Sequence, residues 1–171
     1  MIVLMAGLPG TGKSTLARAL VSQVGGTILG KDEIRHAMFS SQDVEYSTEQ
    51  DDFVMHMMLE AAEWVLRKDP GRIILLDGRT FSRRRQIDRV VEVAQKLQQP
   101  VRILECVCSE ESARRRIESQ AASGEHPAGN RDFSLYRAVK TRFETITRPK
   151  TVIDTDLPLD ECVKTAVEAL R

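Results

Sequence analysis

Apolar positions along the 171-residue chain fall into two alternating patterns. Ile2 to Ala6 and Ile73 to Leu76 are short continuous apolar runs. Such runs mark strands buried on both faces. Thr27-Ile28-Leu29, Val101 to Val107 and Thr151-Val152-Ile153 are further β-capable stretches. Between them lie longer segments with helical spacing, predicted over Lys13–Val24, Asp32–Phe39, Thr48–Lys68, Ser82–Leu97, Ser109–Ala121, Phe133–Ile146 and Leu159–Leu170. Local signals set several boundaries. Gly25-Gly26 stops the first helix as a C-cap, and Pro70-Gly71 stops the long one. Ser47 with Gln50 three residues on fits a capping box. Phe53, Met57, Leu59, Trp64 and Leu66 are expected to supply much of the long helix's apolar face, with Trp64 as a packing anchor. Ile87, Val90, Val91, Ala94 and Leu97 share one side of a later helix.

Strands that alternate with helices imply an α/β fold, a five-stranded parallel sheet with helices on both faces. Ligands are then expected beyond the carboxyl ends of the strands. The length suits a single domain over residues 1–171.

Composition narrows the function classes. At 42% hydrophobic and 29% charged, the chain can bury a core. Lys+Arg and Asp+Glu are each 25, a formal net charge of +0. Bulk attraction to nucleic acid or an anionic membrane is therefore not expected, although a local basic cleft is compatible. No apolar run approaches the roughly 18 residues of a membrane helix. The apolar start lacks a basic flank and runs straight into glycines, unlike a signal peptide. Cys106, Cys108 and Cys162 have no zinc spacing and read as reduced thiols of a cytoplasmic protein.

Gly7-Leu8-Pro9-Gly10-Thr11-Gly12-Lys13-Ser14 matches G-x-x-x-x-G-K-[ST] without a mismatch. A chance match arises about once in 200 random sequences of this length. The flanking strand and helix are also the required context. Glycines let backbone N–H groups turn inward around phosphate oxygens. The helix that follows points its positive end at the same anion. Gly7 to Thr15 are thus candidate nucleotide-binding residues, with Lys13 on the β/γ-phosphates and Ser14 on Mg²⁺.

Two acidic residues sit at predicted strand ends. Asp32 follows the second strand, where a carboxylate can accept a proton from a substrate hydroxyl or hold Mg²⁺ through water. Arg35 is one helical turn further on, placed for an anionic acceptor or the γ-phosphate. Asp77 ends the strongest apolar run, where a carboxylate can hold the Mg²⁺ shell. Gly78-Arg79 adds a flexible residue and a cation, and Arg83-Arg84-Arg85 is a basic helix start. Arg114-Arg115-Arg116, the SGEHPAGN loop from Ser123 to Asn130, and Arg131 form an arginine-rich segment suited to closing over phosphates. Arg116 and Arg131 are the candidates for the transferring phosphoryl group and Arg114 for a place near adenine. His36, His56 and His126 have no metal-site spacing.

These residues resemble the small P-loop kinases, the compact group that includes chloramphenicol phosphotransferase, the kinase domain of polynucleotide kinase, gluconate kinase and adenylylsulfate kinase. The resemblance covers nearly the whole chain. GLPGTGKST matches its phosphate loop, Asp32 and Arg35 its D-x-x-R element, and the Arg114–Arg116 helix its lid base. Phe143-Glu144 and Val152-Ile153-Asp154-Thr155 match its usual ending, which implies that the loop after the last strand helps hold adenine. Compared with adenylylsulfate kinase, the Phe-Thr-Gly lid segment is missing, Asp77 is an added acid, and Gln120 stands where a second lid arginine is common. The resemblance implies a three-layer P-loop NTPase fold with a small Arg-rich helical lid, about 109–146. It also implies ATP, Mg²⁺ and a small-molecule hydroxyl acceptor, in a monomer or homodimer. The alternatives are an adenylylsulfate-kinase-like enzyme, a 5′-hydroxyl polynucleotide kinase, and a nucleotide-dependent switch or assembly ATPase.

Overall fold

β1 (Ile2–Ala6) is the middle strand of a five-stranded parallel sheet, with neither face open to water. Its alternation divides the core. Ile2, Leu4 and Ala6 point to one layer of helices, and Val3 and Met5 to the other. The computed structural model describes residues 1–123 and 132–171. Arg131, His126 and nearly all of the SGEHPAGN loop lie outside the described residues.

The remaining elements follow in chain order: α1 (Lys13–Val24), β2 (Thr27–Gly30), α2 (Lys31–Met38), α3 (Thr48–Lys68), β3 (Ile74–Asp77), α4 (Arg84–Lys96), β4 (Val101–Val107), α5 (Glu110–Ser123), α6 (Phe133–Thr141), β5 (Thr151–Asp154) and α7 (Leu159–Ala169). The strand order is β2-β3-β1-β4-β5. Ile2 pairs with Ile74 on one side and Val101 on the other. The chain therefore leaves β1 toward β2 and later returns past it to β4. That reversal opens a crevice at the carboxyl end of β1.

One helical layer is α3 with α4. Val54, Met58, Ala62 and Leu66 of α3 and Ile87, Val90 and Ala94 of α4 pack on Leu4, Ile74 and Leu76. The other layer is α1 with α7, where Leu16, Ala17, Leu20, Cys162, Val163 and Ala166 meet Val3, Met5, Leu75 and Leu104. A smaller cluster joins α5 to α6 through Ala113, Ile117 and Tyr136, with Leu8 of the glycine-rich loop packed against it. The three-layer α/β architecture and the five parallel strands agree with the sequence reading.

Two readings are corrected. On α3, Leu59 and Leu66 are buried as expected, but Phe53 and Trp64 are 46% and 62% exposed. The buried stripe steps by four through Val54, Met58, Ala62 and Leu66. Phe53 and Trp64 fall off that stripe. Trp64 instead lies under the Lys68 ammonium, 4.1 Å from its ring centroid. The helix expected to reach Ile146 ends at Thr141. Arg142 and Phe143 close it with three-residue turns onto Val139 and Lys140. The Glu144 N–H then donates to the Ser82 carbonyl at 2.9 Å, which draws the chain toward α4.

Candidate active site

The loop between β1 and α1 is shaped by what surrounds it. Gly7 has φ of +132°, and a Cβ there would stand 2.3 Å from the Cys106 carbonyl oxygen. Only glycine permits that approach to β4. Gly12 is the N-cap of α1 with φ of 76° and supplies no side-chain cap; the first turn holds no acid. The helix thus presents its positive end with no carboxylate of its own first turn competing for it.

Lys13 is buried, and its Nζ donates to the Gly7 carbonyl at 2.9 Å and the Leu8 carbonyl at 2.7 Å. The ammonium is held over the loop, where a phosphate would meet it. Gly10, Gly12, Lys13, Ser14, Thr15 and Arg116 line one cleft of about 540 Å³, which continues to Thr155, Leu157 and Leu159 beyond β5. Leu8 and Thr11 shape the loop from within, since the Thr11 hydroxyl donates to the Leu8 carbonyl at 2.8 Å.

Arg116 reaches this cleft from α5. Its Nη2 donates to the Thr155 carbonyl at 2.7 Å and its Nη1 to Thr155 Oγ1 at 3.0 Å. Thr155 Oγ1 lies 3.0 Å from the Thr11 carbonyl, to which it donates. Arg116 and Lys13 therefore line the same cleft. Arg114 goes elsewhere. Its guanidinium stacks 4.1 Å above the Phe133 ring, joining α5 to α6, and it does not line the cleft.

On the other side of the glycine-rich loop lies a second cleft of about 260 Å³, which includes Pro9. Asp32 enters it from the first turn of α2. Arg35 is 1% exposed, a cation that must be paired to be buried. Its Nη1 donates to Asp32 Oδ1 at 3.0 Å, and its Nη2 to Asp51 Oδ1. Lys31 Nζ donates to the same Asp51 oxygen at 2.5 Å and lies 3.6 Å from Asp32 Oδ1. Asp32 is thus oriented from two sides. Tyr46 faces the Arg35 guanidinium at 5.3 Å.

Asp77 ends β3 opposite Gly30, where the sequence places it. It is 4% exposed, and its Oδ1 has no hydrogen-bond partner among the described residues. A buried carboxylate oxygen left this way fits a metal-bound water or cation. Among the described residues no group of three or more His, Cys, Asp or Glu could hold a metal. Mg²⁺ at a nucleotide site needs only one or two protein groups besides phosphate. The Ser14 hydroxyl in the first cleft and the Asp77 carboxylate are groups of that type.

Several site residues had no signal in the sequence reading. Tyr46 and Asp51 reach Arg35 only through tertiary contact, Lys31 beside Asp32 joins them through Asp51, and Arg142 reaches the second cleft from the end of α6. The D-x-x-R element points to Asp32 and Arg35 but not to the α3 carboxylate that completes the pair.

A glycine-rich loop at the carboxyl end of a central parallel strand, a buried lysine over it and a carboxylate across it define a P-loop kinase-type domain. The chain belongs to the AAA domain family, which it matches over residues 2–146. No curated protein matches it. Among solved structures it is similar to a candidate kinase from Chloroflexus aurantiacus J-10-fl, at 21% identity and a TM-score of 0.79 over 99% of this chain and 98% of that one. It is similar to the Mycobacterium tuberculosis APS kinase CysC in complex with AMPPNP and APS, at 19% identity and a TM-score of 0.72 over 99% and 96% of the two chains. A gluconokinase from Sinorhizobium meliloti 1021 has 18% identity and a TM-score of 0.66 over 99% and 90%. These likenesses show the fold, the one the resemblance implied. No helix among the described residues is long and apolar enough to cross a membrane.

Proposed function

We propose that this protein is an ATP-dependent kinase that transfers the γ-phosphoryl group to a hydroxyl of a small-molecule acceptor. The supporting observation is that one glycine-rich loop separates two clefts. Lys13 and Ser14 line one, and the oriented carboxylate of Asp32 lines the other. A γ-phosphate cradled by the loop stands between them.

In this reading Gly7 to Thr15 bind the phosphates through backbone N–H groups and the Lys13 ammonium. Mg²⁺, held by Ser14 and Asp77, would neutralise charge on the phosphates. Asp32 accepts the acceptor's hydroxyl proton as the oxygen attacks the γ-phosphorus. The bond from that phosphorus to the β,γ-bridging oxygen breaks, and ADP leaves. Arg35 acts as a positioning residue that holds Asp32. Arg116 stabilises charge and ties the nucleotide cleft together. Arg114 belongs to the helical lid, about 109–146, Arg131 is a second candidate for the charge on the transferring group, and the whole chain acts as one domain. The three free cysteines suit a cytoplasmic setting.

The test uses ATP labelled at the γ-phosphate, Mg²⁺ and a fractionated cell extract, with Lys13→Ala as control. Lys13-dependent label in a small metabolite supports the proposal. Label on RNA or DNA ends would replace it with a polynucleotide kinase. Label released only as inorganic phosphate would replace it with a switch or assembly ATPase.

A further inference from the structure

The acceptor cleft has a charge that the chain as a whole does not. Among the described residues Lys31, Arg35, Arg79, Arg83, Arg85 and Arg142 line it, against the carboxylates of Asp32 and Asp51. The protein's formal net charge is +0. These cations fall into two tiers.

The inner tier is buried and largely neutralised. Lys31 and Arg35 share Asp51, and Arg79 Nη2 donates to Asp52 Oδ1 at 2.5 Å. Arg79 is 6% exposed, yet its Nε has no hydrogen-bond partner among the described residues. A buried guanidinium with an unused donor is costly unless something else accepts from it.

The outer tier is exposed and comes from two elements. Arg83 and Arg85 stand at the start of α4, and Arg142 follows α6. Glu144 pairs with Arg83 at 3.0 Å, and Asp52 lies 3.7 Å from Arg85. The Arg142 guanidinium has no ion pair or hydrogen bond among the described residues. Even with Asp52 and Glu144 counted, six cations meet four carboxylates around the cleft. The Glu144 carboxylate also accepts from the Arg84 N–H at 2.7 Å and so occupies the positive end of α4, which leaves the excess positive charge to the side chains. The apolar part of the wall comes from Leu135 and Val139 of α6.

We propose that the acceptor is itself an anion: a small hydroxyl compound bearing a phosphate, sulfate or carboxylate group. Its hydroxyl sits at Asp32, and its anionic group is gripped by Arg79, Arg85 and Arg142. Guanidinium forks match the planar or tetrahedral oxygens of such groups. The volume of about 260 Å³ fits a small metabolite, below the usual range for drug-sized ligands. A neutral sugar or an aliphatic alcohol would leave the Arg79 Nε and the Arg142 guanidinium without an anionic acceptor. The assignment of the hydroxyl to Asp32 rests on the kinase reading; the anion site does not.

Two measurements separate them. In the first, a metabolite extract is split on an anion exchanger before reaction. The neutral flow-through and the retained fraction are offered separately with γ-labelled ATP. Lys13-dependent label from the retained fraction is expected. The Arg85→Ala/Arg142→Ala double variant should raise the apparent KM for that fraction at least tenfold and leave kcat within threefold. Label from the flow-through alone, or an unchanged KM, would overturn the proposal.

In the second, sulfate is titrated into Lys13→Ala, and the arginine Nε–H signals are followed by NMR. Saturable shifts that weaken at least tenfold in the triple variant Lys13→Ala/Arg85→Ala/Arg142→Ala are expected. No saturable shift, or one that the arginine changes leave intact, would overturn the anion site. Sulfate binding with no Lys13-dependent transfer from either fraction would sink the kinase reading and leave the anion site standing.

Discussion

Arg116 and Thr155 tie one wall of the nucleotide cleft to the glycine-rich loop, both from the β4–β5 side of the sheet's carboxyl edge. One guanidinium donates to both the carbonyl and the hydroxyl of Thr155, and that hydroxyl donates in turn to Thr11 in the glycine-rich loop. The helix α5, the exit of the last strand and the loop become one hydrogen-bonded unit. Arg116→Ala is expected to weaken AMPPNP binding about tenfold, the loss of roughly one charge-assisted hydrogen bond. Calorimetric titration of the variant checks this, and Arg116→Lys should not restore it because a single ammonium cannot make the paired contact.

Asp32→Asn keeps the shape of the residue and removes the proton acceptor. Turnover in the labelled-phosphate assay should fall about 10²–10⁴-fold. AMPPNP affinity should stay within about twofold, because Asp32 lies in the other cleft. Loss of both together would mean that the residue serves the fold, not the chemistry.

Gly7→Ala tests the backbone of the phosphate loop without touching a charge. The added methyl would meet the Cys106 carbonyl at 2.3 Å, so the loop has to move away from β4. Nucleotide affinity is expected to drop at least about tenfold as the N–H groups lose their convergence. The mutant's far-ultraviolet dichroism should remain that of the wild type.

Leu66 and Trp64 are two residues apart on α3 and predict opposite outcomes. Leu66→Ala should cost about 2–5 kcal/mol because it empties core. Trp64→Ala should cost under about 1 kcal/mol, the worth of an exposed ring beneath an ammonium. Urea unfolding at constant m-value separates them.

Burial pushes the Cys106 thiol up to about 12 from an ordinary 9.0. The neutral thiol favours the folded state. The stability it confers is complete below about pH 9 and is lost as pH rises toward about 12. Cys106→Val should therefore lose less stability than the wild type between about pH 8 and pH 10.5, as read from denaturant midpoints. At neutral pH, iodoacetamide should label Cys106 only after unfolding, because the thiolate is the reactive form.

The sheet and the nucleotide side of the site were legible because their signals are local. β1, α1, α3 and β4 begin and end at the residues that their apolar runs, glycines and caps indicate. The glycine-rich loop needs only consecutive residues to declare itself. Trp64 misled because bulk is a poor guide to facing: a helix buries what lies on its stripe, and the stripe here is Val54, Met58, Ala62 and Leu66. The acceptor side was illegible for another reason. Asp51 meets Lys31 and Arg35 only after residues 39–47 turn the chain back, and Arg79 finds Asp52 across 27 positions. Charges of this kind look like solvated helix faces until the fold brings them together. Its position in an arginine run points Arg114 toward adenine, but the ring of Phe133 claims it.

The order β2-β3-β1-β4-β5 gives the two halves of the sheet separate duties. The β4–β5 side supplies Arg116 and Thr155 to the cleft lined by Lys13 and Ser14. The β2–β3 side supplies Asp32, Arg35 and Arg79 to the cleft proposed for the acceptor. The loop after β1 is the hinge of this division, touching both. A graft that exchanges α2, the first turn of α3 and the loop after β3 would therefore refit the machine for a different recipient while its engine stays in place.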